Sequence, residues 1–409
     1  GARLRAFDAG SPNEWSQALA TIARRQPVLV RPSAEDARER RAFLLPSAGK
    51  WDTAYLREHM GTWGGCPVMR ALDDRNKYLY YFDKQPGRDM SACSDVKREA
   101  STDVRMSFAD FLDEAPRRET CAYLQAPLFE REPAFGPNQP EHVSLCPGMD
   151  KQMLADWHEL DDGRLAELQG EGRLGQWSRS QLFVGPSATL SPCHYDQYDN
   201  LFMQLRGSKH ILLFDPWAAE GLYPFPIHHP YDEYARLDLE HVDEAAFPRA
   251  RHALAGRGAV ATVGEGEVLY IPSHWWHHVC SEVTQGSSDP ASMSVSLSFW
   301  FDSMSALRSP SLPLPDHFEL ELARHVEFLA CDIAGPTAAR ALAEALAADV
   351  GEAPSGHDNG VPTEPRDVVL LRLLDLLGPT QTLAFVRTFL APERFGLRQP
   401  QQAAEPREA

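Results

Sequence analysis

The sequence predicts a mainly β chain with α-helical extensions at both ends. Short apolar segments, each followed by a turn, succeed one another from Gln181 to Phe301, a series typical of a β-sandwich or barrel and not of a parallel α/β sheet. A helix pattern and a short β-like run open the chain, at Pro12–Arg25 and Pro27–Arg31, and helical spacing returns near the C-terminus. We therefore expect an N-terminal α/β extension over residues 1–119, a β core over residues 120–311 and a helical region over residues 312–409.

The N-terminal extension carries both helix and strand signals. Helices are expected at Thr53–Met60 and Phe108–Glu114, where apolar residues have helical spacing. β-rich pieces are expected at Pro67–Arg70 and Tyr78–Asp83. The prolines within residues 132–148 predict a loop.

The core is predicted from apolar segments with strand character. Reversals at Arg206-Gly207-Ser208 and Gly264-Glu265-Gly266 can supply the positive φ that a tight turn needs. The expected strands are Gln181–Val184, Leu201–Leu205, His210–Phe214, Ala259–Val263, Val268–Ile271 and Met293–Phe301.

The C-terminal region is predicted to hold three amphipathic helices. One begins at Asp316 and ends at Gly335, a second carries a leucine stripe that ends at Gly378-Pro379, and a third follows with Leu383 and its neighbours. The polar run over residues 351–366 is expected to be a linker. Apolar helix faces need a partner, so these helices pack either on the same chain or on a second subunit, and the sequence leaves both open.

Composition disfavours several classes of protein. The chain has 40 Lys and Arg against 58 Asp and Glu, a formal charge of −18, without a basic run, so a basic peptide is a better partner than nucleic acid. Seven widely spaced cysteines without a CxxC pair favour reduced thiols over a disulfide framework. The first residues lack the apolar core of a signal peptide, and no stretch approaches the ~20 apolar residues of a membrane span. We expect a location in cytoplasm or nucleus, without membrane contact.

One segment carries the strongest chemical signal. His194 and Asp196 lie two residues apart, so on a strand both side chains leave the same face and can bind one ion. A third imidazole would complete the two-histidine, one-carboxylate triad that binds non-haem Fe(II) and leaves positions open. A histidine near an aspartate is more often a surface pair, but here a glycine turn, Lys209 and a strand leading to tryptophan-flanked histidines follow.

Three histidines compete for the third position. Of His274, His277 and His278, strand alternation allows only one of the last two to point inward. The proline-rich surroundings of His228-His229 favour a structural loop over a second metal site. Cys193 should point away from the predicted ion.

Three runs carry a resemblance to a known family: SPCHYDQYDNLFMQLRGSKHILLFDP, GLYPFPIHHP and GEVLYIPSHWWHHV. They resemble the JmjC family of 2-oxoglutarate oxygenases, and within it the asparaginyl hydroxylases most. The likeness extends upstream through WDTAYLREHM, KYLYYFD and CAYLQAP and downstream into the C-terminal helices. It implies a double-stranded β-helix (jelly-roll or cupin) core, a homodimer through the C-terminal helices, and Fe(II) held by His194, Asp196 and His277, with 2-oxoglutarate and O2 as cosubstrates.

The resemblance also implies a cosubstrate pocket. Lys209 matches the lysine that pairs with the distal carboxylate of 2-oxoglutarate, and Ser191 and Tyr123 match the hydroxyls that assist it. An ammonium and two hydroxyl groups can satisfy the far end of a dianion. The other matching residues are Asn200, near the iron-bound end, and Phe202 and Trp300, in the apolar walls.

Three predicted substrate contacts depart from the asparaginyl hydroxylases. Ser298 stands where those enzymes have an asparagine, and Glu233 and Tyr234 stand where they have an Arg-Gln pair. The expected reaction is hydroxylation of a protein side chain, asparagine first, with release of succinate and CO2, on an ankyrin-repeat or a basic protein. The alternatives are lysine demethylation or arginyl or histidyl hydroxylation of a basic protein, a metal-dependent isomerase that needs no lysine-and-hydroxyl pocket, and a catalytically decayed cupin-type binding module.

Overall fold

The computed structural model of the chain describes residues 2–71, 101–116, 122–131, 142–144, 146–225, 227, 231–282, 293–302, 321–327, 341–346, 357–358, 361–362 and 365–390. The chain divides into two compact units. The first comprises residues 1–79, 100–213 and 258–308, and the second comprises residues 80–99, 214–257 and 309–409.

The first unit is built from strands with helices on one side. Its described strands are β1 (Ala2–Arg3), β2 (Ala6–Asp8), β3 (Val28–Arg31), β4 (Cys66–Ala71), β5 (Ser101–Met106), β6 (Ala122–Arg131), β7 (His142–Ser144), β8 (Gln176–Gly185), β9 (Leu190–His194), β10 (Asp199–Arg206), β11 (Lys209–Phe214), β12 (Gly258–Val263), β13 (Val268–Ile271), β14 (Trp276–Ser281) and β15 (Ser294–Asp302). Its described helices are α1 (Pro12–Ala23), α2 (Ala34–Glu39), α3 (Thr53–Met60), α4 (Phe108–Glu114), α5 (Lys151–Trp157) and α6 (Asp162–Gly170), with a 3-10 turn at Pro46–Lys50.

The strands form two sheets that enclose one interior. The larger sheet has the order β2-β3-β13-β10-β15-β8-β6-β4-β5, with β7 paired to β6, and the smaller has the order β1-β12-β11-β14-β9. Apolar residues of both sheets meet in one cluster, which contains Phe202, Leu269 and Ile271 from the larger sheet and Ile211, Leu213 and Val279 from the smaller. The predicted mainly β, jelly-roll core is thereby confirmed.

The opposite face of the larger sheet packs against the N-terminal helices. Because side chains alternate along a strand, Phe202 of β10 points into the jelly roll while its neighbours Leu201 and Met203 join a second cluster with Trp15 and Ile22 of α1. β3 extends the same sheet by pairing with β13, for example Val30 with Val268. The N-terminal extension therefore contributes a strand to the core sheet and a helix that covers the outer face of that sheet.

Most predicted elements in the first unit are confirmed. The predicted helices at residues 12–25, 53–60 and 108–114 are α1, α3 and α4, and the two predicted reversals place Gly207 and Gly266 at φ +74° and +80°. The loop predicted over residues 132–148 is wrong at His142–Ser144, which pairs with β6. The strand predicted at Tyr78–Asp83 lies outside the described residues.

The second unit is mainly helical where it is described. Its labelled elements are α7 (Ala219–Leu222), preceded by a 3-10 turn at Pro216–Ala218, α8 (Ala250–Leu254), the two-stranded hairpin of β16 (His357–Asp358) and β17 (Val361–Pro362), and α9 (Pro365–Phe389). Residues 321–327 and 341–346 are also helical. The remainder of the helix predicted from Asp316 to Gly335 lies outside the described residues, and the predicted linker contains the small hairpin.

This unit includes residues 214–257, which the sequence analysis assigned to the β core. They form the connection between β11 and β12, and its two ends are joined where Arg257 Nη1 donates to both Asp215 carboxylate oxygens at 3.2 Å. A long connection between neighbouring strands can pack as its own unit, which strand patterns do not reveal.

α9 is two helices joined at a break. Gly378 has φ +76° and ψ 165°, as expected from the predicted Gly378-Pro379 stop. By length and composition, Arg366–Thr388 resembles a membrane-spanning helix. The break leaves pieces of roughly 20 Å or less at 1.5 Å per residue, shorter than the ~30 Å apolar layer of a bilayer.

Candidate metal and cosubstrate site

Two histidines and one aspartate converge inside the jelly roll. His194 ends β9, Asp196 follows in the turn before β10, and His277 on β14 pairs directly with His194. One ligand atom from each residue lies within 4.8 Å of the other two, and His277 Nε2 is 3.8 Å from Asp196 Oδ2. Neighbouring ligands with metal bonds of about 2 Å lie about 3 Å apart, so shifts of about one to two ångströms would bring all three ligand atoms onto one ion.

Hydrogen bonds orient both imidazoles. His194 Nδ1 lies 2.7 Å from the Pro192 carbonyl oxygen, and His277 Nδ1 lies 3.0 Å from that of Trp275. A backbone carbonyl accepts from a protonated Nδ1, which leaves the Nε2 lone pair for a metal. The donor set therefore fits Fe(II) in a two-histidine, one-carboxylate site.

The pKa shifts of His194 and Asp196 favour the protonation states that a metal site requires. Burial, reinforced by the nearby imidazole of His277, lowers the pKa of His194 to about 4. Burial alone would raise the pKa of Asp196, but His277, His194 and a 3.1 Å hydrogen bond from Trp300 Nε1 outweigh it and lower that pKa. At neutral pH, His194 is thus a neutral imidazole and Asp196 a carboxylate.

The structure separates the three competing histidines. Of these, only His277 belongs to the converging group. His274 has φ +65° and donates its backbone N–H to the Asp196 carbonyl oxygen at 2.7 Å, so it shapes the turn that leads into β14 and His277. Cys193 is buried with its pKa raised well above the ordinary value and is not in the group, whereas His228-His229 lies outside the described residues.

Lys209 lies in the same interior. Its side chain is 3 % exposed, and Nζ donates to the hydroxyl of Tyr123 at 3.1 Å. The rings of Tyr123, Phe183 and Phe202 surround it, with centroids 5.4 to 5.8 Å from Nζ. Burial lowers the pKa of Lys209 to about 7, and no carboxylate of the described residues pairs with it. A buried ammonium group of this kind is suited to pair with the carboxylate of a bound molecule.

Ser191 shares the face of His194 because β9 is irregular. An odd separation of three residues would place the two side chains on opposite faces of a regular strand. His277 and Val279, two residues apart on β14, pair with His194 and Ser191, so one extra residue is accommodated in β9. Ser191 therefore points into the interior, which is the side that the role implied by the resemblance requires.

The remaining predicted pocket residues lie on neighbouring strands of the larger sheet. Asn200 pairs with Trp300 and Phe202 with Ser298, so all four side chains share the inner face. Asn200 Oδ1 and Ser298 Oγ are buried without a hydrogen-bond partner in the described structure. Buried polar atoms are seldom left so, and a bound molecule would satisfy them.

Two of the predicted substrate contacts, Glu233 and Tyr234, lie in the second unit. Glu233 has φ +77° and its Oε1 is 3.7 Å from Arg324 Nη2, and Tyr234 is buried. Their role in binding substrate stays a prediction.

The sequence analysis missed two charged groups near the triad. Asp199 accepts hydrogen bonds from Arg25, Tyr270 and the backbone of Ser273. The other group is Arg179 of β8, whose guanidinium lies over the ring of Trp300. In a sequence, a single charged residue within or beside a strand looks like an ordinary solvated side chain. The roles of Asp199 and Arg179 therefore become visible only from their neighbours in the structure.

Comparisons with known proteins agree with this geometry. Residues 16–306 match the family described as Cupin-like domain. The chain is 28 % identical over 209 residues to "Lysine-specific demethylase JMJ30" of Arabidopsis thaliana, which covers 51 % of this chain and 40 % of that protein. It is 38 % identical over 147 residues to "HSPB1-associated protein 1" of Homo sapiens, covering 35 % and 27 % of the two chains. It is 33 % identical over 122 residues to "Jumonji C domain-containing protein 5" of Drosophila melanogaster, covering 30 % and 27 %.

The chain thus spans less than half the length of each of these relatives. The family match contains the triad and Lys209, and the predicted relation to JmjC proteins is confirmed at the family level. The finer likeness, to the asparaginyl hydroxylase called factor inhibiting hypoxia-inducible factor, stays a prediction. The chain belongs to the cupin-like domain family and has JmjC proteins among its relatives.

Proposed function

We propose that this protein is an Fe(II)- and 2-oxoglutarate-dependent oxygenase that hydroxylates a protein side chain. The observation that carries the proposal is the triad and a buried lysine, without an anionic partner in the described structure, inside one jelly roll. A buried charge is costly unless it is paired. The distal carboxylate of 2-oxoglutarate would provide that pair and leave the other end free to reach the triad.

Each pocket residue has a role in this proposal. His194, Asp196 and His277 would hold the iron, which together with 2-oxoglutarate and O2 supplies the oxidation of C–H to C–OH, with succinate and CO2 as products. Lys209 and the Tyr123 hydroxyl would bind the distal carboxylate. The apolar rings around Lys209 exclude water and strengthen that pairing.

The choice of the side chain that is modified has less support than the reaction class. Asparagine is our first choice because of the resemblance to asparaginyl hydroxylases, with an ankyrin-repeat protein as a substrate. Demethylation of methyl-lysine is the second candidate, and the name of the plant relative favours it. Dimerisation and a cytoplasmic or nuclear location stay predictions.

Formation of succinate from 2-oxoglutarate tests the reaction class. The wild type should form succinate only with Fe(II) and O2, and His194→Ala or Asp196→Ala should reduce the rate roughly 100-fold or more. Succinate formation by Asp196→Ala at the parental rate would show that the triad is assigned wrongly. Peptides that gain one oxygen atom would identify a hydroxylase, whereas loss of a methyl group would identify the demethylase. Binding of Fe(II) without succinate would favour the decayed binding module.

A further inference from the structure

An arginine that has no polar partner among the described residues lies beside the triad. Arg179 of β8 pairs in register with Trp300 of β15, and Trp300 donates to the ligand Asp196. The guanidinium carbon is 4.7 Å from the centroid of the Trp300 ring and 5.0 Å from that of Tyr198. Arg179 is therefore one residue removed from the metal ligands, on the inner face of the sheet.

The side chain of Arg179 makes no hydrogen bond to the residues that the structure describes. Arg179 Nε is buried without a hydrogen-bond partner, and its side chain forms no ion pair with the residues that the structure describes. Stacking on two rings fixes the plane of a guanidinium but satisfies none of its five N–H donors. Other arginines of this unit are paired, Arg25 with Asp199 and Arg70 with Glu114. A guanidinium that is held flat with free donors is suited to bind a carboxylate in a bidentate manner.

The cosubstrate does not account for this arginine. Arg179 and Phe183 lie four residues apart on β8, about 13 Å along the strand, and Phe183 packs at the Lys209 end. The carboxylate bound at Lys209 would therefore lie at the other end of this stretch of β8 from Arg179, and the opposite end of 2-oxoglutarate would be held by the metal. If 2-oxoglutarate occupies the Lys209 end, as the proposed function requires, Arg179 faces the part of the pocket that remains for the substrate.

We propose that Arg179 binds a carboxylate of the substrate, a claim that rests on the proposed function and names its substrate class. The preferred substrates are protein segments with an aspartate or glutamate next to the modified residue. A methylated lysine at the same place would bring a second cation toward the guanidinium, so Arg179 disfavours the demethylase alternative. The net charge of −18 repels acidic partners at long range, but salt screens this repulsion beyond about 8 to 10 Å. Within the pocket, the nearby guanidinium of Arg179 determines which charge the substrate should carry.

Peptide binding tests this inference independently of turnover. The probes are fluorescein-labelled peptides of equal length with a central asparagine, flanked by aspartate, glutamine or lysine, measured by anisotropy with Mn(II) and 2-oxoglutarate present. The wild type should bind the aspartate-flanked peptide about tenfold or more tightly than the lysine-flanked one. Arg179→Gln should remove the preference, and Arg179→Glu should reverse it. A wild type that does not distinguish the peptides, or an Arg179→Glu variant that keeps the preference, would overturn the inference.

Two controls separate the possible failures. Arg70→Gln changes an arginine of the same unit that is paired with Glu114 and should leave the preference intact. Mn(II) affinity equal to the parental value in Arg179→Gln would show that the triad is undisturbed. Succinate formation by the wild type without peptide reports on the proposed function alone, so a failure there is distinguishable from a lost peptide preference.

Discussion

Lys209 makes cosubstrate binding depend on pH. Burial lowers the pKa of its ammonium group to about 7, and the nearby titratable groups are the Tyr123 hydroxyl and the Cys280 thiol. A bound dianion would raise that pKa again, so binding above pH 7 must take up a proton. The affinity for 2-oxoglutarate should be constant below about pH 7 and fall by up to about tenfold per pH unit above it.

Calorimetric titrations of 2-oxoglutarate between pH 6 and pH 9 check this prediction. The enthalpy should vary with the ionisation enthalpy of the buffer above pH 7, because a proton is taken up. Lys209→Arg keeps a charge that does not titrate in this range and should remove the pH dependence. An affinity of the wild type that is independent of pH would show that Lys209 is not the anion-binding group.

Individual site residues were predictable where two potential ligands lie at a spacing that puts them on one face of a strand. The spacing of His194 and Asp196 predicts two ligands of a metal site, and the resemblance to JmjC proteins selects His277 as the third. The structure brings the three together. The position of Ser191 was not derivable from the same spacing because the irregularity of β9 moves it to the other face. Arg179 could not be identified from the sequence, because what distinguishes it is that its side chain has no polar partner among the described residues.

The close approach of β8 and β6 positions the Tyr123 ring. Gly185 at the end of β8 has no Cβ, and a Cβ there would overlap that ring. Gly185→Ala should therefore displace Tyr123, weaken 2-oxoglutarate binding about tenfold and destabilise the fold by roughly 1 to 3 kcal/mol. Gly170→Ala is the matched control, because a Cβ at Gly170 meets nothing within 4 Å. Equal cosubstrate affinity of the two variants would contradict this account of Gly185.

A buried ion pair on the outer face of β10 holds the turn that leads to His277. Asp199 is fully buried and accepts hydrogen bonds from Arg25 Nη2 and the Ser273 backbone, both at 3.0 Å. Arg25 also donates to Ser273 Oγ at 2.9 Å. The next residue, His274, donates its backbone N–H to the carbonyl oxygen of Asp196. The network therefore connects the turn before His277 with the ligand Asp196.

Asp199→Asn should therefore change the metal site as well as stability. Removal of one partner of a buried pair costs about 3 kcal/mol or more, and displacement of the turn should weaken Mn(II) binding about tenfold. Asp156→Asn is the control, because Asp156 is equally buried in the same unit but accepts from Lys50 and Trp51. It should lose comparable stability and keep its Mn(II) affinity. If both variants bind Mn(II) as the parent does, the network does not position His277.

Elements were predictable where the apolar pattern was long and regular. α3 and α4 have the predicted bounds. β6 was missed because Pro127 argues against a strand, but the sheet accommodates that proline at a bulge between Pro127 and Phe129. Strand pairing, which overrides local propensity, is not visible in one sequence.

The stability of the whole molecule should decline at low pH partly through Asp156. Burial alone raises the pKa of Asp156, but hydrogen bonds from Lys50, Tyr55 and Trp51 outweigh it and lower that pKa below its ordinary value. A carboxylate with a lowered pKa contributes stability that is complete above about pH 4 and is lost as pH falls through the folded-state pKa.

Urea midpoints between pH 6 and pH 2.5 test this contribution. The wild type should lose more stability over this range than Asp156→Asn, which is less stable at pH 6 but cannot lose the same charge. Parallel curves for the two proteins would show that Asp156 is not among the groups that cause acid unfolding.

At the scale of the whole chain, the sequence predicts the classes of its parts better than their assembly. The mainly β core and the break in the C-terminal helices are confirmed. The placement of residues 214–257 with the second unit was not foreseen. Local patterns describe how a segment folds, whereas the packing of a long connection depends on residues distant in sequence.

The affinity of 2-oxoglutarate with and without Fe(II), measured anaerobically by calorimetry, tests the central claim most directly. If the triad and Lys209 form one site, Fe(II) should increase the affinity of the wild type about tenfold or more, and Asp196→Ala should abolish that increase. Lys209→Ala should weaken binding in both conditions, because it removes the charge at the distal end. An affinity that Fe(II) does not change in the wild type would contradict a shared metal and cosubstrate site.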